Sequence, residues 1–347
     1  MIIYTHMWVS TLAISSLSKV QSHKWGKEIF VHQSPRGCTI RQVHPHSTFC
    51  VSVVNKLQDS LIKSAKGVRY RTLSIHLTIY ESGPGDPGVV FIPGIGSHAG
   101  TYADLIPGAN FLHAMAEEGF NVVAVDLQGH GRSGGPRGLF TYADLLGNIS
   151  RAVDYAVERY GSPVGVTGSS MGGILSFYAG LTDPRVGAVV CHNVADLRDI
   201  HPILYLRRHR ILVSLTEALS PLLSRCTWLP IPIVAFLEPR HVFDQPENVR
   251  RWLRDPLFVH AYRASSWISL FLHPQDKPAV EEMTRPVRII VGEHDRILAV
   301  KPTQVFYGRL RCPKDLVIVP GAGHMLPLEY LATTVPLIAE WLHRCLR

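Results

Sequence analysis

Short apolar runs alternate with longer amphipathic segments over most of this chain. Runs such as Gly88–Ile92 and 287–291 are continuous and rich in Val and Ile, which is typical of strands buried on both faces of a sheet. The segments between them have helical spacing, and several end at glycine. This alternation predicts a mostly parallel sheet with helices on both faces. Because ligands of such sheets bind beyond the carboxyl ends of the strands, the loops there are the place to look for chemistry.

The predicted strands and helices follow one another in regular order from residue 68. The strands are expected at 68–75, 76–80, 88–92, 122–125, 163–167, 186–190, 287–291 and 316–319. The helices are expected at 102–118, 142–160, 174–181, 301–310 and 328–344.

The stretch V-T-G-S-S-M-G-G at 166–173 lies between a predicted strand and a predicted helix. A nucleophile elbow needs small residues two positions before and two positions after the reactive serine, because the chain turns sharply there. Ser170 has Gly168 and Gly172 at those positions, whereas neither flank of Ser169 is glycine. Ser170 is therefore the candidate nucleophile, and Ser169 is expected to fill or hydrogen-bond the turn. A glycine-rich turn without chemistry is the alternative.

Two later loops carry residues that could activate this serine. A serine hydroxyl needs a histidine to take its proton and a carboxylate to orient that histidine. Asp295 follows the strand expected at 287–291, and His324 follows the strand expected at 316–319. Both residues are thus predicted at the same edge of the sheet as Ser170.

The chain resembles the α/β-hydrolase superfamily, and within it the branch of monoacylglycerol lipases and serine carboxylesterases. The resemblance extends from about residue 68 to the C-terminus, apart from a middle insertion, and rests on G-S-S-M-G-G at the elbow, V-D-L-Q-G-H-G-R-S at 125–133, G-E-H-D at 292–295 and G-A-G-H at 321–324. It implies an α/β-hydrolase fold with Ser170 as nucleophile, Asp295 as acid and His324 as base. It implies neither a metal nor an organic cofactor.

The oxyanion hole requires two backbone N–H groups aimed at the developing negative charge. One is expected from Met171, directly after the nucleophile. The second is expected from Ile95, in the loop P-G-I-G-S-H that follows Ile92. Relatives have His-Gly at the start of this loop, whereas this chain has Pro93-Gly94. The substitution affects the shape of the loop but not its backbone donor.

Other polar residues near these motifs have competing interpretations. Asp126 is expected to hold the loop that follows it rather than to serve as the acid, and His130 is expected to be structural. His98 either lines the pocket or faces solvent. Glu293 is the fallback acid, and His294 is a weak alternative base.

Residues 196–283 interrupt the alternation and are rich in large apolar side chains. They are predicted to form a cap over the core, which comprises 66–195 and 284–347, while 1–65 form an appendage of unknown role. Helical spacing extends from Ile211 to Leu223. Most of the apolar side chains are expected in the cap's own core, and a minority are expected to line a channel for an acyl or aromatic group.

Composition excludes several partners. The chain has a formal net charge of +8 and a pI of about 9.2, but no long basic run with interleaved aromatic residues, so nucleic acid is not expected. No cysteine pair has C-x-x-C spacing, which argues against zinc, and a disulfide between Cys312 and Cys345 stays open. The first twenty residues lack the positive start of a signal peptide. A cytoplasmic location is favoured over export or membrane association, with peripheral contact with a lipid surface left open.

The predicted function is hydrolysis of small hydrophobic carboxylic esters through an acyl-enzyme on Ser170. Serine rather than aspartate at the elbow argues against epoxide opening and halide displacement. A thioesterase, an aminopeptidase or an acyltransferase would use the same residues. A non-catalytic binding protein with a hydrolase fold is the alternative from another class. The oligomeric state is not indicated by the sequence.

Overall fold

The computed structural model describes residues 18–21, 28–34, 37–39, 48–54, 74–199 and 218–346, with side chains in the last two ranges. The chain divides into two units, Met1–His44 and Pro45–Arg347. In the first unit, an antiparallel sheet has the order β1-β2-β3 and is formed by β1 (Ser18–Gln21), β2 (Glu28–Ser34) and β3 (Gly37–Thr39).

The second unit is built on an eight-stranded sheet. Its strands, together with those of a separate two-stranded sheet, are β4 (Thr48–Val54), β5 (Ser74–Tyr80), β6 (Gly88–Ile92), β7 (Asn121–Val125), β8 (Val164–Ser169), β9 (Val186–His192), β10 (Pro230–Pro232), β11 (Ala261–Arg263), β12 (Val287–Gly292) and β13 (Lys314–Val319). The large sheet has the order β13-β12-β9-β8-β6-β7-β5-β4. Its strands from β13 to β7 are parallel, and β5 runs antiparallel to both of its neighbours.

The second unit also contains the described α-helices. They are α1 (Ala99–Asp104), α2 (Phe111–Glu117), α3 (Tyr142–Tyr160), α4 (Met171–Thr182), α5 (Ser220–Leu223), α6 (Pro246–Arg254), α7 (Ala264–Phe271), α8 (Val300–Arg309), α9 (Leu326–Glu329) and α10 (Leu331–Leu346). Every residue of β6, β7 and β8 is buried, as their continuous apolar runs predict. The mostly parallel α/β architecture is therefore confirmed.

Two predicted helices are wrong in extent. The helix expected at 102–118 is two helices, because Pro107 has no N–H for a helical bond and Gly108 has a φ of 81°. The helix expected at 328–344 is also two helices, which meet at Tyr330. The first part of the strand expected at 68–75 lies outside the described residues.

Strand β4 lies inside the stretch 1–65 that was expected to be an appendage. It pairs antiparallel with β5 over seven residues, from Thr48 opposite Tyr80 to Val54 opposite Ser74. Residues 48–54 are therefore the outermost strand of the large sheet. The large sheet therefore includes residues that precede position 66, where the core was expected to begin.

The insertion is described at 196–199 and from residue 218 onwards, and most of the predicted helix 211–223 lies outside the described residues. Within the insertion, β10 pairs antiparallel with β11. The almost fully buried large apolar residues of the insertion include Ile233, Phe243, Trp252 and Phe258. Four others are exposed, namely Leu219, Leu222, Trp228 and Val234. Among the described residues of the insertion, more apolar side chains are thus buried than exposed.

Two further observations concern expectations from composition. Cys312 and Cys345 are both free thiols, as are Cys191 and Cys226. None of the helices in the described ranges is long and apolar enough to cross a bilayer.

Candidate active site

Ser170 lies in the sharp turn between β8 and α4, with a φ of 56° and a ψ of −121°. This backbone conformation is strained for a residue with a side chain. The Ser170 amide donates to the carbonyl of His192 at 2.9 Å, which fixes the turn against β9. A Cβ on Gly172 would overlap the carbonyl oxygens of Ile92 and Pro93. The glycine flank is thus required by close backbone approach, as the sequence predicts.

Asp295 and His324 are paired in the loops that follow β12 and β13. His324 Nδ1 lies 2.8 Å from Asp295 Oδ2, and both side chains are almost fully buried. The same carboxylate oxygen accepts a hydrogen bond from Asn193 Nδ2 at 2.6 Å. Its other oxygen accepts the amides of Ile297 at 2.7 Å and Leu298 at 2.9 Å. Four donors therefore fix the carboxylate, and it orients the imidazole.

The direction of this hydrogen bond determines what His324 can do. A carboxylate oxygen accepts, so Nδ1 of His324 carries the proton and donates it to Asp295. In the neutral ring, Nε2 then has a free lone pair. This is the arrangement that a general base requires.

The three predicted residues come to one edge of the sheet because β8, β9, β12 and β13 are neighbouring parallel strands. The loops that carry Ser170 and His324 also touch each other through the residues next to these two. Ser169 Oγ lies 3.9 Å from Sδ of Met325, the residue after His324. Ser170 and His324 are not hydrogen-bonded to each other among the described residues. Such bonds in ligand-free hydrolases are often long and tighten only when substrate binds.

The loop that follows β6 lies against the elbow. A Cβ on Gly94 would be 3.4 Å from Cβ of Ser170. Among the described residues, the amides of Ile95 and Met171 have no hydrogen-bond acceptor. The amides of both predicted oxyanion donors are therefore unpaired within the described ranges. Pro93 does not prevent this close approach.

The alternative acid and base lie elsewhere. Glu293 accepts the amide of Gly321 at 2.8 Å, and about half of its side chain is exposed. The side chain of His294 is two-thirds exposed. The structure therefore pairs His324 with Asp295 and not with Glu293.

Asp126 and His98 hold the loops around the site. Asp126 accepts the amides of Ala99 and Arg132, both at 2.8 Å, which confirms its predicted role in fixing the loop that follows β7. His98 Nδ1 accepts the amide of Gly100, and its Nε2 lies 2.8 Å from an oxygen of Asp255 in the insertion. His98 is buried, so a solvent-facing position is wrong.

His130 is structural, as expected. Its Nδ1 lies 2.9 Å from the carbonyl of Gln128, and its Nε2 lies 2.7 Å from the hydroxyl of Tyr262. Complete burial lowers the pKa of His130 to about 4 because water no longer stabilises the charged ring. The imidazole is therefore neutral at physiological pH.

Three residues of the site were not found from the sequence. Asn193 fixes the acid, and the hydroxyls of Tyr102 and Tyr262 accept the amides of Gly94 and Gly96. Asn193 directly follows β9, so its position at the carboxyl edge was a usable signal. The two tyrosines belong to no motif, and only the folded chain brings them to the loop. Among the described side chains, no group of three His, Cys, Asp or Glu is arranged to hold a metal ion.

The fold and the site define an α/β-hydrolase, with a serine elbow, an acid–histidine pair and a loop with free amides at one sheet edge. Comparison with known proteins gives the family. Residues 84–330 match the model of the Hydrolase_4 family, described as serine aminopeptidase, S33, and the chain belongs to this family.

Individual relatives point in the same direction. A monoacylglycerol lipase of Mycolicibacterium smegmatis is 28% identical over 250 residues, which cover 68% of this chain and 80% of the relative. The crystal structure of a Paleococcus ferrophilus monoacylglycerol lipase is 24% identical, with a TM-score of 0.60, and the match covers 78% of this chain and 98% of the other. A soluble variant of the Saccharomyces cerevisiae monoglyceride lipase, solved with a substrate analogue, is 14% identical, with a TM-score of 0.64 and coverage of 84% and 100%. The two structures establish the shared fold.

Proposed function

We propose that this chain hydrolyses hydrophobic carboxylic esters through an acyl-enzyme on Ser170. The observation that carries the proposal is the buried Asp295–His324 hydrogen bond of 2.8 Å, at the sheet edge that also holds the strained elbow. Similarity to monoacylglycerol lipases supports ester substrates, and monoacylglycerols are the first to test.

The reaction begins with attack of Ser170 Oγ on the ester carbonyl carbon. His324 Nε2 takes the hydroxyl proton, and Asp295 stabilises the imidazolium through Nδ1. The carbonyl oxygen becomes negative and is stabilised by the amides of Ile95 and Met171. Collapse of the tetrahedral intermediate breaks the ester C–O bond, and His324 returns the proton to the leaving alcohol. Water then attacks the acyl-enzyme by the same steps and releases the carboxylic acid.

Substitution of Ser170 by alanine tests the nucleophile. Ser170→Ala should abolish turnover of p-nitrophenyl acyl esters and labelling by a fluorophosphonate probe. Ser169→Ala is the matched control, because the adjacent serine is buried and lies outside the elbow frame; it should keep both activities. Retention of turnover in Ser170→Ala would show that the nucleophile is wrong. A folded wild-type protein that the probe does not label would favour a non-catalytic binding protein.

A substrate panel separates the enzymatic alternatives. The description of the family as serine aminopeptidases favours amide cleavage as the second candidate. Esters of increasing acyl chain length, thioesters and aminoacyl amides should be compared with one preparation. We expect esters to give the highest kcat/KM. Exclusive cleavage of amides or thioesters, or transfer of the acyl group to an acceptor alcohol instead of water, would overturn the choice.

We also propose that residues 196–283 act as a cap and that its exposed apolar side chains contact a lipid surface. Trp228 is 71% exposed and Leu222 is 64% exposed, and the exposed Leu219 and Val234 lie in the same part of the chain. Trp228→Ser should weaken co-sedimentation with phospholipid vesicles. Val305→Ser is the control, because Val305 is 69% exposed but lies on α8 of the core. Equal binding of both variants would refute the lipid contact. Fractionation of cells tests the accompanying proposal of a cytoplasmic location.

A further inference from the structure

Two tyrosine hydroxyls hold the loop that follows β6 on either side of Ile95. The amide of Gly94 donates to Tyr102 Oη at 3.1 Å, and the amide of Gly96 donates to Tyr262 Oη at 2.7 Å. The amide between them, that of Ile95, has no acceptor among the described residues. The amides of Gly94 and Gly96 are therefore fixed by hydrogen bonds, and the amide of Ile95 between them is free to bind a ligand.

Tyr262 is held in a defined hydrogen-bonding state. Its hydroxyl lies 2.7 Å from Nε2 of His130, whose Nδ1 lies 2.9 Å from the carbonyl of Gln128. A carbonyl only accepts, so the proton of the neutral imidazole is on Nδ1, and Nε2 accepts the Tyr262 proton. The lone pairs of the hydroxyl are then available to the amide of Gly96. The orientation of the hydroxyl thus follows from His130.

Tyr262 also contacts the residue that follows Ser170. Its hydroxyl lies 3.8 Å from Sδ of Met171, whose amide is the second expected oxyanion donor. Tyr262 belongs to the insertion, and two other residues of the insertion also bind the loop that follows β6. Val259 donates its amide to the Gly96 carbonyl at 2.9 Å, and Trp252 Nε1 donates to Ser97 Oγ at 3.0 Å.

We propose that Tyr262 is a positioning residue, which acts through the Gly96 amide to hold the N–H of Ile95 in the direction that a tetrahedral oxyanion requires. The inference rests on the proposed function, since it assigns how the oxyanion hole of that reaction is prepared. The insertion then contributes to the chemistry and does not only cover the site. Oxyanion donors stabilise the transition state more than bound substrate, so the effect should fall on kcat.

The ring of Tyr262 has its own packing, which separates the hydroxyl from the rest of the side chain. Phe140 and Trp267 lie against it, with ring centroids 4.7 Å and 5.3 Å away. Tyr262→Phe keeps these contacts and removes only the hydroxyl. In this variant, the Gly96 amide loses its acceptor and the loop can rotate.

Tyr178→Phe is the matched control. Tyr178 is fully buried, and its hydroxyl donates to Asp196 at 3.0 Å and accepts the amide of Leu197 at 3.0 Å. The variant loses the same kinds of hydrogen bond at a place away from the oxyanion loop. It should lose stability much as Tyr262→Phe does, with unchanged kcat.

The experiment measures kcat and KM for a p-nitrophenyl ester, and the affinity for a trifluoromethyl ketone that adds to the serine hydroxyl. We expect Tyr262→Phe to lower kcat by about 10-fold to 100-fold, the range caused by small misplacement of catalytic groups, with little change in KM. The affinity for the ketone should fall by a similar factor, because its adduct carries the oxyanion.

The possible results are distinguishable. Failure of the wild-type protein to hydrolyse any ester would refute the proposed function itself. An active wild type together with a Tyr262→Phe variant that matches Tyr178→Phe in kcat and ketone affinity would overturn this inference alone. If Tyr262→Phe does not fold, His130→Leu replaces it, since this variant keeps Tyr262 and removes the acceptor of its proton. A kcat and ketone affinity unchanged in His130→Leu would likewise overturn the inference.

Discussion

Replacement of Ser170 by glycine should make the protein more stable than replacement by alanine. Both variants remove the hydroxyl, but alanine keeps the side-chain carbon that makes a φ of 56° with a ψ of −121° unfavourable. Strain of this kind is worth about 1–3 kcal/mol. Glycine relieves it and loses about 0.4–1 kcal/mol through the greater entropy of its unfolded chain. The expected net difference is about 1 kcal/mol in favour of glycine.

Chemical denaturation of the two variants measures this difference directly. Ser176 provides a matched control within α4, because it is fully buried and lies in regular helix. There the order should reverse, with Ser176→Gly about 1 kcal/mol less stable than Ser176→Ala. A Ser170→Gly protein that is equal to or less stable than Ser170→Ala would refute the view that the elbow stores strain. The test needs no substrate and is independent of the proposed reaction.

Three further outcomes are expected. Burial lowers the pKa of His192 from its ordinary 6.5 to about 3, so the unfolded chain takes up this proton at a higher pH than the folded protein does, and the free energy of unfolding should fall as the pH decreases from 6.5 towards 3. Urea unfolding across this range should show that the dependence of this free energy on pH is smaller by about one proton in His192→Gln. Substitution of the half-exposed His113 should leave the dependence unchanged. Gly172→Ala should fail to give soluble folded protein, because its Cβ would overlap two carbonyl oxygens, whereas Gly147→Ala, in α3 with open space around it, should raise the free energy of unfolding by about 1 kcal/mol. Asn193→Ala removes one of four donors to Asp295 and should lower kcat by about tenfold with little change in KM; steady-state kinetics that show an unchanged kcat would remove Asn193 from the site.

The elements that could be predicted are those whose own residues determine them. Strand β6 is a continuous apolar run because both of its faces are covered, and α3 has its predicted bounds because Thr141 caps its start and Gly161 ends it. The break between α1 and α2 was missed, although Pro107 and Gly108 are visible in the sequence, since the apolar spacing continues across them. Strand β4 was missed because an edge strand is recognised by its partner, β5, rather than by its own pattern.

The same distinction applies to the site. Ser170, Asp295 and His324 belong to local motifs, each with glycine neighbours that the backbone requires, so their positions could be predicted one loop at a time. Tyr262 acts on a loop 166 residues away in sequence, and its role depends on a hydrogen bond that no local pattern encodes. Asn193 has a φ of 70°, which a sequence does not show for a residue other than glycine.

The insertion is hydrogen-bonded both to the loop that carries His324 and to the loop that follows β6, and these bonds limit how the insertion can move away from the site. At the histidine loop, Asp244 Oδ2 accepts the amide of Gly323 at 3.2 Å, and Glu329 in α9 accepts the amides of Asp244 and Gln245 at 2.6 Å and 3.0 Å. At the loop that follows β6, the Gly96 carbonyl accepts the Val259 amide. Movement of the whole insertion would break these bonds together, and the buried Val259 amide and Gly96 carbonyl, left unpaired, would cost about 1–3 kcal/mol each. Residues 218–237 make none of these bonds, so a displacement of that part alone would leave them in place.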